Sequence, residues 1–235
     1  MGGTSALLVM VRQQDITLLL VPLGCTLVQA YRARQLRPAV RPSVLFLLSF
    51  TAVFAVQLAV WYYLRGSLIT YSYRGQSFSN LLNPKVLEVL FSANHGLFTW
   101  HPLIAVCLLG LLLLVRAHPV FAYAALASVA AQLYVVGSWS CWWMGLSFGQ
   151  RPFLSLTPLF IVGLAAVIAK LRRPWPRGVF AATTAGLFLW NVVLMLAFLS
   201  EVIPYEGEFA WGGLLSSLPQ LAHAVLTKIA SLRGL

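Results

Sequence analysis

The chain alternates long apolar runs with short polar segments. Six runs are long enough, or nearly so, to cross a bilayer as helices, at about 16–31, 43–64, 97–115, 119–137, 153–169 and 178–199. At ~1.5 Å per residue a helix over 43–64 is about 33 Å long, which matches the ~30 Å hydrocarbon core of a membrane. The pattern therefore predicts an all-α, polytopic transmembrane helical bundle of about six spans within residues 1–200.

Residues 201–235 follow a different pattern. Apolar residues recur there at helical spacing, at Leu214, Leu218, Leu221, Val225, Ile229 and Leu232, and the polar positions include His223, Lys228 and Arg233. An apolar face opposite a basic face is typical of a helix that lies on a membrane surface. We therefore predict a C-terminal amphipathic helix in an outer-face tail that covers residues 201–235.

The basic residues indicate how the spans are oriented. The turns 32–42 and 170–177 each hold several Arg or Lys residues, and Arg116 lies between the third and fourth spans. In a six-span protein these three turns are on the same side, and short loops rich in Arg and Lys face the cytoplasm. The outer segments are then 65–94, 138–151 and 200–235.

Composition restricts the possible functions further. Hydrophobic residues make up 60% of the chain and charged residues only 9%, with Lys+Arg 16 against Asp+Glu 5 and a net charge of +11. This balance excludes an ordinary soluble domain and also a disordered one. The basic residues lie between apolar runs instead of on one soluble face, so nucleic acid is not predicted as a partner.

Few polar side chains lie deep within the predicted spans. Gln57, Gln132 and Asn191 are best interpreted as interhelical hydrogen-bonding residues. Asp15 is expected at the N-cap of the first span, so no ionisable group lies at mid-membrane depth, and this disfavours a coupled transporter. The three cysteines are far apart and no acidic pair is present, so we predict neither a metal site nor a cofactor.

Two outer phrases carry the candidate chemistry. Residues 91–102 read FSANHGLFTWHP and residues 138–151 read SWSCWWMGLSFGQR. Aromatic residues at an interface need no function, because their amphipathic rings favour that depth. The neighbouring His95, His101 and Arg151 are not explained in this way, since a guanidinium can bind a phosphate through two hydrogen bonds. We expect a site for a lipid phosphate and a sugar that stacks on tryptophan.

The same phrases resemble the C-terminal half of bacterial GT-C-fold membrane glycosyltransferases, which are related to dolichyl-phosphate-mannose protein mannosyltransferases. The first phrase is matched by Ser92, His95, Gly96, Leu97, Phe98, Trp100 and Pro102. The second is matched by Trp142, Trp143, Gly145, Ser147, Phe148, Gly149 and Arg151, with Met144 in place of a glycine. A weaker likeness at the start of the chain involves Gly3, Leu8, Val11 and Arg12.

The resemblance implies a multi-pass protein of the bacterial inner membrane that binds a polyprenyl-phosphate-linked sugar on its outer face. The residues expected to contact phosphate or sugar are His95, Trp100, His101, Trp142, Trp143, Arg151 and Lys85, with Arg74 as a further loop cation. No catalytic residue can be assigned, because the family's acidic base lies in an earlier outer loop than Asp15. Glu88 is better interpreted as a surface residue that pairs with Lys85.

The missing base leaves two interpretations open. The chain is either a half of a glycosyltransferase, completed by upstream residues or by a partner chain, or a non-enzymatic subunit that binds lipid phosphate or assembles a membrane complex. An acidic residue in a first outer loop encoded upstream would favour the enzyme.

Overall fold

The computed structural model describes residues 2–32, 37–68, 75–171 and 174–205, and beyond them the isolated residues Gly207, Ala210, Gly212, Ser216, Pro219 and His223. The described part of the chain is all-helical. Its α-helices are α1 (Gly2–Val11), α2 (Leu20–Arg32), α3 (Arg37–Arg65), α4 (Val86–Phe91), α5 (Leu97–Trp100), α6 (Leu103–Leu114), α7 (Pro119–Ser138), α8 (Thr157–Lys170) and α9 (Pro174–Leu199). A first 3-10 helix, Gln13–Leu19, leads into α2, and a second, Arg151–Leu156, leads into α8.

Among the described residues, four helical segments are long and apolar enough to cross a membrane. They are Val40–Arg65, Pro119–Ser138, Arg151–Lys170 and Trp175–Leu199. These segments coincide with the second, fourth, fifth and sixth predicted spans, and they identify the chain as a membrane protein.

The first and third predicted spans are not confirmed as crossings. The third is divided at His101 and Pro102, so that α6 keeps only 12 residues, about 18 Å of helix at ~1.5 Å per residue. The first begins as the 3-10 helix Gln13–Leu19 instead of as an α-helix capped by Asp15. The predicted amphipathic helix after residue 201 lies almost wholly outside the described residues.

Two glycines set the closest helix contact in the bundle. The backbones of α6 and α8 meet at Gly110 and Gly163, where a Cβ on Gly110 would collide with the carbonyl of Gly163. A Cβ on Gly163 would in turn collide with the carbonyl of Cys107. Small residues at helix crossings permit this approach in membranes, and it fixes the helix that follows the candidate loop at residues 138–151.

The buried core lies around these two helices. Leu111 of α6, Ala125 of α7 and Phe153 and Leu156 of the second 3-10 helix are among its buried members. A second cluster joins Trp100 to Leu194, Ala197 and Phe198 of α9. The core therefore rigidly positions both ends of the loop that carries the second sequence phrase.

Candidate functional site

The structure brings the two sequence phrases into contact. The ring of Phe148 lies 5.1 Å from that of Trp100 and 5.5 Å from that of His101, in edge-on geometry. Gly149 has φ +60°, and a Cβ at this position would collide with Nε2 of His101. Glycine is therefore required here both for its backbone conformation and for the close approach.

His101 is held as a neutral ring. The side-chain amide nitrogen of Asn191 donates to the carbonyl of Trp100 at 2.6 Å and lies 2.7 Å from Nδ1 of His101. Because Nδ1 accepts this hydrogen bond, the ring proton is on Nε2. Nε2 of His101 lies on the side of Gly149. The predicted interhelical role of Asn191 is confirmed.

His95 and Trp100 are placed in the interior. The two rings are tilted by 32° with centroids 4.5 Å apart, and the ring of Phe198 of α9 meets that of His95 edge-on at 5.8 Å. Nε2 of His95 lies 3.2 Å from the carbonyl oxygen of Tyr205, and Nε1 of Trp100 donates to the carbonyl of Ala93 at 2.9 Å. Both side chains are thus engaged in packing and hydrogen bonds within the protein, although sequence reasoning expected them at a ligand.

Lys85 lies at the start of α4 and pairs with Glu88. Its Nζ is 3.4 Å from the Glu88 carboxylate, and the two side chains are 40% and 43% exposed. The backbone amide of Lys85 donates to the carbonyl of Gly137. This pair is the surface ion pair that the sequence suggested, and Arg74, the other predicted loop cation, lies outside the described residues.

Trp142 and Trp143 occupy the loop between α7 and the second 3-10 helix. Their rings meet edge to face with centroids 5.6 Å apart. The carbonyl of Trp142 accepts a hydrogen bond from Gln150, whereas Nε1 of Trp143 is buried and has no hydrogen-bond partner among the described residues. The loop then turns through Met144 and Gly145, both with positive φ.

Arg151 follows this loop as the first residue of the second 3-10 helix. Its side chain is exposed and makes only a long contact, 3.4 Å, to the carbonyl of Met144. The guanidinium therefore keeps most of its donors available for a ligand.

A second arginine, which the site prediction omitted, contacts the backbone of Arg151. Nη1 of Arg12 donates to the backbone carbonyl of Arg151 at 2.8 Å. Arg12 is the single residue between α1 and the first 3-10 helix. It is 139 residues away from Arg151 in the chain. The sequence hinted at Arg12 only through its place in the weak N-terminal likeness.

A buried hydrogen-bond network joins the 3-10 helix that follows Arg12 to the 3-10 helix that begins at Arg151. Thr17 donates to Oε1 of Gln132 at 2.6 Å, and Nε2 of Gln132 donates to the carbonyl of Pro152 at 2.9 Å. Ser155 also donates to this carbonyl, at 3.1 Å. The network joins both 3-10 helices to α7, which confirms the interhelical role predicted for Gln132.

Asp15 lies at the end of this network, and sequence reasoning assigned it wrongly to a helix cap. It is inside the first 3-10 helix and only 3% exposed. Burial raises the pKa of Asp15, while a hydrogen bond with Ser155 and the charge of Arg12 act in the opposite direction. A signal was present in the sequence, because Asp15 is its only aspartate and follows Arg12 by one helical turn.

An apolar cavity of about 440 Å³ lies against the first 3-10 helix. It is lined by Ile16, Thr17, Leu19, Leu20, Leu23, Phe46, Leu47 and Phe50, from the first 3-10 helix, α2 and α3. Ile16, the first of these lining residues, directly follows Asp15 in the chain.

Metal-binding chemistry was not predicted. Among the described residues no three His, Cys, Asp or Glu side chains gather as a metal site would require.

Comparison with known proteins gave no relative of this chain: no family model, no curated protein and no solved structure matches it. The likeness of the two phrases to the GT-C glycosyltransferases therefore stays a prediction.

Proposed function

We propose that the protein binds a polyprenyl-phosphate-linked sugar on the outer face of the bacterial inner membrane, with the phosphate held between Arg12 and Arg151. The observation that carries the proposal is the hydrogen bond from the Arg12 guanidinium to the Arg151 carbonyl. It brings the Arg12 guanidinium to the backbone of Arg151, 139 residues away in the chain.

The electrostatics favour a phosphate over a neutral ligand. Two guanidinium groups repel each other unless an anion lies between them, and each can give a phosphate two parallel hydrogen bonds. The carboxyl group of Asp15 is buried, and burial raises its pKa. An external phosphate would therefore supply the negative charge that the local sequence lacks.

The surroundings of the arginines suit the other parts of such a ligand. The apolar cavity lined by Ile16, Leu20 and Phe50 includes residues of the 3-10 helix that follows Arg12, and we propose that it accepts the first units of a prenyl chain. Trp142 and Trp143 precede Arg151 in the same loop, and tryptophan rings provide flat apolar surfaces for a sugar ring. Lipid, phosphate and sugar thus each have a neighbouring partner of matching chemistry.

A binding experiment tests this proposal. The protein in nanodiscs is titrated with a polyprenyl phosphosugar, and the Kd is measured for wild type, Arg12→Ala and Arg151→Ala. Because a hydrogen bond to a charged group contributes about 1.5–3 kcal/mol, each substitution is expected to weaken binding by about tenfold or more.

Arg116→Ala is the matched control, since Arg116 is exposed at the opposite end of α7. This variant should bind like wild type. Equal affinities for wild type, Arg12→Ala and Arg151→Ala would refute the phosphate site.

Within this proposal we favour the role of a glycosyltransferase half, as the resemblance implies. The alternative is a non-enzymatic lipid-phosphate-binding subunit, and one observation favours it: Glu88 is paired with Lys85 and Asp15 is buried, so neither offers an open carboxylate as a base. Sugar release from the donor in the presence of acceptor, when the missing half is supplied, would distinguish the enzyme from the binding subunit.

A further inference from the structure

Side chains of α9 hold the break between α5 and α6. His101 has φ −129° and ψ 64°, outside the helical range, so the last carbonyls of α5 need donors from elsewhere. The carbonyl of Thr99 accepts a hydrogen bond from Nε1 of Trp190 at 3.2 Å, and the carbonyl of Trp100 accepts one from the Asn191 side chain at 2.6 Å. The backbone on which His101 stands is therefore fixed by α9.

Asn191 also fixes the ring of His101. Its side-chain nitrogen lies 2.7 Å from Nδ1 of that ring, and one amide group has two hydrogens, enough for this contact and for the Trp100 carbonyl. The ring of Phe148 meets the other side of the contact edge-on, with centroids 5.5 Å apart. In this orientation Nε2 of His101 faces Gly149 so closely that a Cβ on Gly149 would collide with it.

Gly149 is tied in turn to Arg151. The backbone amide of Arg151 donates to the carbonyl of Gly149 at 3.2 Å, which closes a tight turn. Between them Gln150 is only 3% exposed, and its side chain donates to the carbonyl of Trp142 at 3.2 Å. The carbonyl of Arg151 accepts the hydrogen bond from Arg12. A shift of Gly149 would therefore displace the backbone of Arg151.

We propose that His101 is a positioning residue for the phosphate site and not a ligand contact. Asn191 fixes its ring, the ring sets the place of Gly149, and the turn at Gly149 sets the place of Arg151. This inference rests on the phosphate site proposed above. It gives His101 a different role from the one that the resemblance implies, and it makes ligand affinity depend on a residue of α9.

Both ring nitrogens of His101 support this role. Nδ1 is engaged by Asn191, and Nε2 faces Gly149 at a distance that leaves no room even for a methyl group. A phosphate or sugar oxygen does not fit between Nε2 and Gly149. The ring acts on a ligand only through the residues that it contacts.

The first test adds the missing Cβ. The Kd of the full chain in nanodiscs for a polyprenyl phosphosugar is measured for wild type and Gly149→Ala. Because the collision displaces Arg151, Gly149→Ala should weaken binding by about tenfold, as loss of a hydrogen bond to a charged group does. Gly145→Ala is the matched control, since Gly145 lies in the same loop with φ +67° and nothing within 4 Å of the added Cβ. It introduces similar backbone strain without a collision and should bind close to wild type.

The second test asks whether His101 acts through Arg151. His101→Ala and Asn191→Leu are each measured in the wild-type background and in the Arg151→Ala background. Residues that act through Arg151 should weaken binding, by up to about tenfold, only while Arg151 is present. A direct ligand contact, or a general loss of stability, would cause the same loss in both backgrounds.

Asn191→Leu also keeps the inference testable if Gly149→Ala does not fold, because it removes the hydrogen bonds from the α9 side without changing the loop. Thr183→Leu is its control, since Thr183 is an exposed polar residue of the same helix. This variant should bind like wild type in both backgrounds.

The outcomes separate this inference from the proposed function. Wild-type affinity in His101→Ala and Asn191→Leu, with weaker binding by Arg151→Ala, would refute the positioning role and leave the phosphate site intact. Equal losses in the two backgrounds would also refute it. Equal affinities of wild type and Arg151→Ala would refute the phosphate site itself, and this inference with it.

Discussion

Single polar residues determine how the interior of this apolar protein is organised. Gln132 is fully buried and connects Thr17 of the first 3-10 helix to the carbonyl of Pro152 in the second. A buried polar group left without a partner destabilises a protein by about 1–3 kcal/mol. The local structure around both arginines therefore depends on one amide side chain in α7.

Replacement of this amide tests its importance. Gln132→Met keeps the volume but leaves Thr17 with only its longer hydrogen bond, 3.2 Å, to the carbonyl of Gln14, and Pro152 with one donor fewer. We expect about 1–3 kcal/mol of destabilisation, measured by reversible unfolding in mixed micelles. Gln57→Met is the matched control, because Gln57 lies on the sparsely packed α3. Equal stability of the Gln132→Met variant and wild type would show that the network does not hold the 3-10 helices.

The roles of single residues could be predicted from the sequence where their chemistry leaves few possible environments. A glutamine or asparagine within an apolar run must find a hydrogen-bond partner, and Gln132 and Asn191 have done so. The interpretation failed for Asp15, because a helix cap and a buried carboxyl group have the same local sequence. Only the contact between residues that are distant in the chain distinguishes them.

At the scale of elements, one helix crossing positions the candidate loop. Gly110 and Gly163 allow α6 and α8 to touch backbone to backbone, and α8 continues directly from the second 3-10 helix. Such close contacts increase the dispersion attraction that holds helices together in lipid. Separation of these helices would displace Arg151 from Arg12.

Larger side chains at this crossing should therefore impair both folding and binding. Gly163→Leu is expected to destabilise the protein by about 1–3 kcal/mol or more, as overpacking of a core does. The nearest atoms to the added Cβ are the backbone carbonyl atoms of Cys107, which cannot move aside as a flexible side chain can. Gly186→Leu on α9 provides the control, since nothing lies within 4 Å of the added Cβ there. Thermal unfolding in detergent measures both, and similar midpoints for the two variants would contradict the crossing.

Hydrophobic length predicted four of the helices well and did not predict the break within the third span. An apolar run indicates only that a segment avoids water, and it does not show that the His101–Pro102 pair divides the run at 97–115 into α5 and α6. Proline removes a backbone donor and disfavours helical geometry in the preceding residue. The meeting of Gly149 with His101 could not be predicted either, because it depends on how distant helices pack.

For the whole molecule, the arrangement of the basic turns predicts which ends face outwards. Ser79 should lie outside and Arg116 inside, which requires the α5–α6 segment to cross the membrane although α6 is short. Single cysteines at Ser79→Cys and Arg116→Cys, with the native cysteines replaced, should react with an impermeant thiol reagent from opposite sides. Labelling of both from the same side would contradict the six-span arrangement.

The central claim concerns the whole molecule as well, because the proposed phosphate site combines Arg12 with Arg151, 139 residues away in the chain. The most direct measurement is photolabelling with a polyprenyl phosphosugar that carries a photoreactive group next to its phosphate, followed by peptide mapping. The labels are predicted on segments 12–17 and 142–151 together, and Arg12→Ala and Arg151→Ala should each reduce them. Labels confined to the outer surfaces of α3 and α9, unchanged in both variants, would contradict a phosphate site between Arg12 and Arg151.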